Sequence, residues 1–191
     1  IIIQALATHA KHGGHIAASC SSVFLSNAAG LLQGRQVTTA WWLAPLLQNI
    51  APDCKVDSNK MVCVDGQITT AGAAFSQTDL MLHLLQQSYG SKLVDRVSNI
   101  ILLNQRHAQT PFIMPEVLAR GNDLVTQVIN RIENALPVLP SVSKLAEEFC
   151  MSERTLSRHI QRTTGKSTLA LLQSVKLNYA INLLKNSRMS I

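Results

Sequence analysis

Two groups of residues in this chain have types and spacings that could do chemistry. Arg154, Ser157, Arg158 and Gln161 recur at three- and four-residue intervals, so a helix presents them along one face. An arginine near a helix N-terminus can fork onto guanine O6 and N7 in the major groove, and such a pair discriminates between bases by about 1–3 kcal/mol. Arg162 and Lys166 are placed for phosphates, which fix register without reading sequence. The plainer reading of the same face is a helical hairpin with a solvated basic side. The second group centres on Cys20, which stands between a short apolar run and a helical pattern. Strand, cysteine, helix is the order of a nucleophile elbow. A helix N-terminus favours the thiolate form of a thiol. Ser21 and Ser22 follow, and their amides could face an anion or a carbonyl. A small buried cysteine after a strand is the plainer alternative.

The elements that must position these groups follow from periodicity and breakers. From Val142 to Gly165 the chain reads VSKLAEEFCMSERTLSRHIQRTTG, a short helix, a tight turn and a second helix. Leu145, Ala146 and Phe149 recur on one side of the first helix, and Leu156 and Ile160 point inward from the second. Ser152 is a natural N-cap. That arrangement sets a helix into the major groove of DNA. A further helix spans Leu169 to Lys185, and Asp123 to Leu136 forms one upstream, followed by a break over Pro137 to Pro140.

The front of the chain alternates between strand and helix. Ile1 to His12 reads as the end of an amphipathic helix closed by Gly13-Gly14, and His15 to Ser19 as a strand. Ser22 to Leu32 reads as a helix closed by Gly34, and Val37 to Trp42 as a strand leading into a helix broken near Pro45. Met61 to Val64 and Gln67 to Thr70 form a hairpin around Asp65-Gly66. Gly72 to Ser88 is a long helix with an apolar face of Phe75, Leu80, Met81, Leu84 and Leu85, and Lys92 to Leu103 is another. Asn104 to Pro115 has linker character. The fold class is therefore α/β in front and all-α behind, with domains over residues 1–115 and 120–191.

Composition narrows the class. The chain has 191 residues, 47% hydrophobic and 15% charged, which suits packed cores rather than disorder. Its net charge of +6 is uneven: Ser141 to Ile191 holds eight Lys/Arg against three Asp/Glu, and the remainder is nearly balanced. A basic C-terminal third points to an acidic polymer as its partner. The four cysteines, Cys20, Cys54, Cys63 and Cys150, show neither a C-x-x-C pair nor zinc spacing, so neither metal nor cofactor is expected. They read as reduced thiols in a cytoplasm. Cys54 and Cys63 have the spacing to face each other across neighbouring strands, and paired-strand packing is the plainer role for them. No apolar run is long enough to span a membrane. The chain starts inside a helical pattern without an initiator Met, which suggests that something precedes it.

The segment L-A-x-x-F-x-M-S-x-R-T-L-x-R-x-I-x-x-x-T-G, followed by K-L-N-Y-A-I-N-L-L, resembles the DNA-binding domain of AraC/XylS-type transcription regulators. The resemblance implies two helix-turn-helix units joined by one long helix, with Arg154, Ser157 and Arg158 at base-facing positions. Cys150 stands where the family has a turn glycine, Thr168 where it has a proline, and the chain stops at Ser190-Ile191, where a second unit would begin. Upstream, I-A-A-S-C-S-S-V-F-L-S-N-A-A-G-L-L-x-G-R-x-V-T-T-A-W-W and T-T-A-G-A-A-F-S-Q-T-D-L-M-L-H-L-L resemble the glutamine-amidotransferase-like (PfpI-type) domain. That resemblance implies a flavodoxin-like fold, incomplete here, with Cys20 as nucleophile in enzymatic members. The base histidine that would stand between the Thr-Thr pair and the tryptophan is Ala40 here. None of His9, His12, His15, His83, His107 and His159 replaces it, and His83 reads as a satisfied structural histidine.

Three readings follow. The first is a cytoplasmic, ligand-responsive regulator, a homodimer on double-stranded DNA. Its effector would be a small, carboxylate-bearing metabolite on the floor formed by Cys20, Ser21, Ser22, Thr70 and Gly72, where two helices begin. The second is a cysteine-dependent hydrolase or stress protein of the same superfamily. The third, a minor one, is a redox switch at Cys20.

Overall fold

The computed structural model describes residues 1–103, 108–109, 112–119 and 121–186. Half of the expected linker, His107 included, and the terminal Ser190-Ile191 lie outside them. The chain divides into two compact units, Ile1–Ile113 and Met114–Ile191.

The first unit is α/β. Its main sheet has the order β1-β5-β4, from β1 (Ile16–Ser19), β5 (Ile68–Ala71) and β4 (Val62–Asp65). β1 and β5 run parallel, with Ser19 beside Ala71, and β4 and β5 form the expected antiparallel hairpin. Asp65 pairs with Ile68, so Gly66 and Gln67 make the turn, one residue later than the Asp-Gly signal suggests. Gly66 takes φ 59° there, as a two-residue hairpin turn requires of its first central residue.

A second pair, β2 (Gln36–Val37) and β3 (Lys55–Val56), is parallel and short. Side chains tie β2 to the main sheet. The Thr38 amide donates to Thr70 Oγ1 at 2.8 Å, and Gln36 N–H donates to Asp65 Oδ2 at 2.8 Å. The expected strand to Trp42 therefore ends at Val37: Thr38 and Thr39 leave the ladder to bond laterally. Cys54 lies just before β3 and Cys63 within β4, and these two strands are not paired with each other. Their thiols donate to the backbone carbonyls of Arg35 and Gln36, at 3.3 and 3.4 Å. Burial, the first cause in each case, raises both pKa values and keeps the thiols neutral.

The helices of this unit are α1 (Ile2–Lys11), α2 (Val23–Ala28), α3 (Ala44–Ile50), α4 (Ser76–Tyr89) and α5 (Ser91–Ile100). α2 is shorter than its sequence pattern, because Gly30 at φ 71° lets Leu31 N–H reach back to the Ser26 carbonyl and close the helix. Leu32 is thereby freed to enter the core, fully buried with Val23, Val37 and Leu47. Pro45 opens α3 instead of breaking it, since a first-turn proline gives up no helical hydrogen bond. α4 starts at Ser76, and its buried face is Ser76, Asp79, Leu80 and Leu82; Met81 points outward. His83 is half-buried and its Nε2 has no partner among the described residues, so it is not the satisfied histidine expected.

The second unit is all-α: α6 (Pro115–Leu118), α7 (Asp123–Glu133), α8 (Val142–Glu148), α9 (Glu153–Thr164) and α10 (Thr168–Asn186). Its core joins Val125, Val128, Ile129 and Ile132 of α7 to Leu145, Ala146, Leu156, Ile160 and the α10 residues Leu171, Leu172 and Val175. Phe149 packs on its edge.

Candidate nucleic-acid interface and the cysteine turn

The α8–α9 pair is built by local rules that the sequence obeys. Ser141 Oγ accepts from Lys144 N at 3.1 Å, and Ser152 Oγ accepts from Thr155 N at 3.2 Å, so each helix opens on a serine cap. Between them Cys150 takes φ 53°, a left-handed conformation in which a glycine has no steric cost. Met151 N–H then bonds the Ala146 carbonyl at 2.8 Å, and the chain turns directly into α9. Gly165, at φ 70°, ends α9 with its N–H on the Gln161 carbonyl. Arg131 of α7 grips Glu148 at the end of α8 with two hydrogen bonds, 2.7 and 2.8 Å. That bond holds the Glu148 carboxyl below its usual pKa.

On this frame Arg154, Arg158, Gln161 and Arg162 are exposed. Leu156 and Ile160, fully buried, fix the rotation of α9 that turns these arginines to solvent. The other members of the set have internal partners. Ser157 is half-buried and its hydroxyl accepts from Thr168 Oγ1 at 2.9 Å. Gln161 Nε2 donates to the Gly165 carbonyl at 3.0 Å. Lys166 Nζ donates to Ser174 Oγ at 2.8 Å, and burial lowers its pKa. Thr168, in place of the family's proline, thus ties the start of α10 to α9. His159 was not singled out by sequence, yet it lines a shallow concavity with Arg158 and Arg162.

At Cys20 the backbone has the elbow shape. Cys20 is half-buried and takes φ 54° in a 3-10 turn, Cys20–Ser22, that leads from β1 into α2. Its N–H donates to the Gly72 carbonyl at 2.9 Å, and its carbonyl accepts from Thr39 Oγ1 at 2.7 Å. Cys20 and Gly72 are therefore neighbours, and Thr70, two residues before Gly72, accepts from the Thr38 amide through its hydroxyl. The Thr39 hydroxyl brings the loop carrying Thr39 and Ala40 to the cysteine backbone, and Ala40 is fully buried with no group that could act as a base. The expected anion floor is not assembled here. The Ser22 hydroxyl is engaged with Ser19, accepting from its N–H at 2.9 Å and donating to its carbonyl at 2.7 Å. α2 has only six residues, and α4 begins four residues beyond Gly72. Two aligned helix N-termini do not meet at this turn. Among the described residues no group of three or more His, Cys, Asp or Glu could hold a metal ion.

The feature that sequence reasoning missed is Gln109. It falls in the expected linker, yet it is buried. Its Nε2 donates to Thr38 Oγ1 and to the carbonyls of Thr39, Ser58 and Lys60, at 2.9–3.2 Å, sharing two hydrogens among four oxygens. Its Oε1 accepts from Ala73 N at 3.0 Å. Gly72 makes room for it: a Cβ there would fall on the Gln109 amide. Beyond it lies a cavity of about 280 Å³, lined by Trp41, Trp42, Met61, Phe75 and Phe112 among others.

Regulators are among the proteins that the chain is similar to. Residues 145–191 match the helix-turn-helix domain family. The chain is similar to the HTH-type transcriptional regulator GbdR of Pseudomonas aeruginosa (strain UCBPP-PA14), 24% identical over 97% of this chain and 51% of that protein. It is similar to GlxA of Rhizobium meliloti (strain 1021), 26% identical over 94% and 56%. It is also similar to CdhR of P. aeruginosa, 28% identical over 89% and 51%. The chain thus spans about half the length of the regulators it matches. Among solved structures it is similar to Drosophila melanogaster DJ-1beta, with TM-score 0.47 and 20% identity over 53% of each chain. A ThiJ/PfpI family protein from Pseudomonas syringae gives TM-score 0.43 and 15% identity over 83% of this chain and 51% of that one. The sequence matches bear out the resemblance to helix-turn-helix transcription regulators.

Proposed function

We propose that this chain is the sensing and DNA-reading part of a transcription regulator. The observation that carries this is the exposed row Arg154, Arg158 and Arg162 on α9, held at fixed rotation by buried Leu156 and Ile160. In this reading Arg154 and Arg158 meet base edges and Arg162 meets phosphate. Ser157, Gln161 and Lys166 position the helix through their internal bonds and approach the backbone at its flanks. The protein acts in the cytoplasm as a homodimer and is not an enzyme. A small-molecule effector bound in the front unit sets its affinity for DNA.

The test is titration of labelled promoter-like duplex with the protein at several salt concentrations. Affinity should fall steeply with salt as phosphate counterions are released. Arg158→Ala should cost about 1–3 kcal/mol and relax base preference at one position. Salt-independent or absent binding sinks the proposal. The positive φ of Cys20 favours the hydrolase reading as a second possibility. It predicts an esterase or deglycase activity that Cys20→Ser removes. Ala40 leaves the thiol without a base in that loop, so no such activity is expected.

A further inference from the structure

The chain contains two tryptophans, four phenylalanines and two tyrosines. Both tryptophans and half the phenylalanines line one cavity of about 280 Å³ in the front unit. Trp41 and Trp42 stand edge to face, 5.1 Å between centroids and 87° between planes, so they form two walls of a right-angled corner. Phe75 and Phe112 complete the rim. Trp41 is buried, but Trp42, Phe75 and Phe112 are 39, 77 and 55% exposed. Leaving three large rings in water at one place is unfavourable unless something covers them.

The lining states what that something is. Among the described residues it includes no charged side chain. Its polar groups are already bonded: Ser76 Oγ donates to Met61 Sδ at 2.7 Å, and the Gln109 amide is saturated as described. A carboxylate entering here would lose water and meet ring faces that carry partial negative charge. A flat apolar ring would stack on the aromatic walls. The site is also built rather than incidental. Gln109 pulls the segment bearing Phe112 against Ala73, the start of the turn bearing Phe75, and Gly72 is the residue that allows this approach.

We propose that this aromatic corner, and not the Cys20 turn, is the effector site, and that it takes a small molecule carrying a flat apolar ring and no carboxylate. The proposal rests on the regulator reading for the word effector, but the site stands or falls independently of it.

Because the only two tryptophans of the chain form the corner, their fluorescence reports on it without a label. The probe is benzyl alcohol, with benzoate and benzyltrimethylammonium as charged counterparts, titrated into the whole chain with excitation confined to tryptophan. Benzyl alcohol should give a saturable change in emission at about millimolar concentration, as suits a ligand of so few atoms. Benzoate should bind more weakly, by about a factor of 10 in Kd, and benzyltrimethylammonium no more weakly than benzyl alcohol, because the ring faces attract a cation. Phe75→Ala should weaken benzyl alcohol by a similar factor. Phe75 is largely exposed, so this variant should keep its circular dichroism and melting temperature. No saturable change, no effect of Phe75→Ala, or binding of benzoate as tight as that of benzyl alcohol overturns the proposal. So does emission that shifts with protein dilution and not with probe, which would mean that another copy covers the rings. Salt-dependent DNA binding is read separately, without probe. Lost DNA binding with an intact fluorescence titration refutes the regulator and leaves the site, and the converse refutes only the site.

Discussion

Cys20 and Cys150 share one backbone conformation, at φ 54° and 53°, and each turns the chain toward a helix. Their surroundings differ in nearly every other respect. Around Cys20 the amide and the carbonyl are both held by distant parts of the unit, Gly72 and Thr39. Around Cys150 the holding bonds are local, to Glu147 and from Met151 to Ala146, and the residue is exposed. A left-handed cysteine is therefore not in itself an active site. At Cys20 the elbow shape belongs to a network that joins three segments of the sheet. At Cys150 it is the bend between two helices.

This contrast can be broken at its non-local end with the largest effect. Gly72→Ala should drive a methyl group into the Gln109 amide and disturb the partner of the Cys20 N–H. Overpacking of that kind costs about 1–3 kcal/mol, and loss of the buried bonds to Gln109 should take this variant to the top of the range. Chemical denaturation with Trp emission as readout should show it, because the tryptophans lie in that unit. Thr39→Val comes next. It deletes the hydroxyl on the Cys20 carbonyl and should cost about 1 kcal/mol, with DNA binding by the other unit unchanged. A loss below a few tenths of a kcal/mol would show that the Cys20 turn holds itself, like its counterpart.

Cys150→Gly tests the local end with the opposite sign. Relief of the left-handed conformation, less the entropy of glycine, should stabilise the rear unit by about 0.5–1 kcal/mol. Thermal unfolding followed by circular dichroism should register a higher melting temperature, and an unchanged or lower one would mean that the turn is unstrained. The smallest effect should come from Glu148→Gln, which weakens the grip of Arg131 at the end of α8. The Glu148 pKa is depressed by the Arg131 hydrogen bond, so its contribution is present at neutral pH and lost as pH falls through that depressed value. Wild type and variant should therefore differ slightly near neutrality and converge in acid. Their convergence at high pH instead would contradict the assignment.

The same contrast explains what was legible in the sequence. The rear unit is built from contacts close in sequence. Ser141, Ser152, Gly165 and the apolar positions Leu145, Leu156 and Ile160 each act within a turn or two, and each announces its role by type and spacing. The front unit is held by bonds that span 19 to 71 residues, and these leave no local mark. Thr38 and Thr39 look like strand residues until lateral hydrogen bonds remove them from the ladder. β3 is two residues long and gives no periodic signal. Gln109 sits among prolines and polar residues that read as a connector, and only its partners show that it is core. The cavity escaped for the same reason, since its four rings come from three separate segments.

The four oxygens around the Gln109 nitrogen carry a chemical consequence of their own. Glutamate has the same shape and size, and hydrolysis of the amide produces it without any change in the gene. At an exposed position that exchange passes unnoticed. Here it would replace a donor by an acceptor facing three carbonyls, and turn those three attractions into repulsions. Burial slows the access of water that hydrolysis needs, so the side chain whose ageing would cost the unit most of its lateral bonds is shielded from it while the unit stays folded. Each opening of the front unit would expose it, and the chains that lost the amide could not close again in the same way.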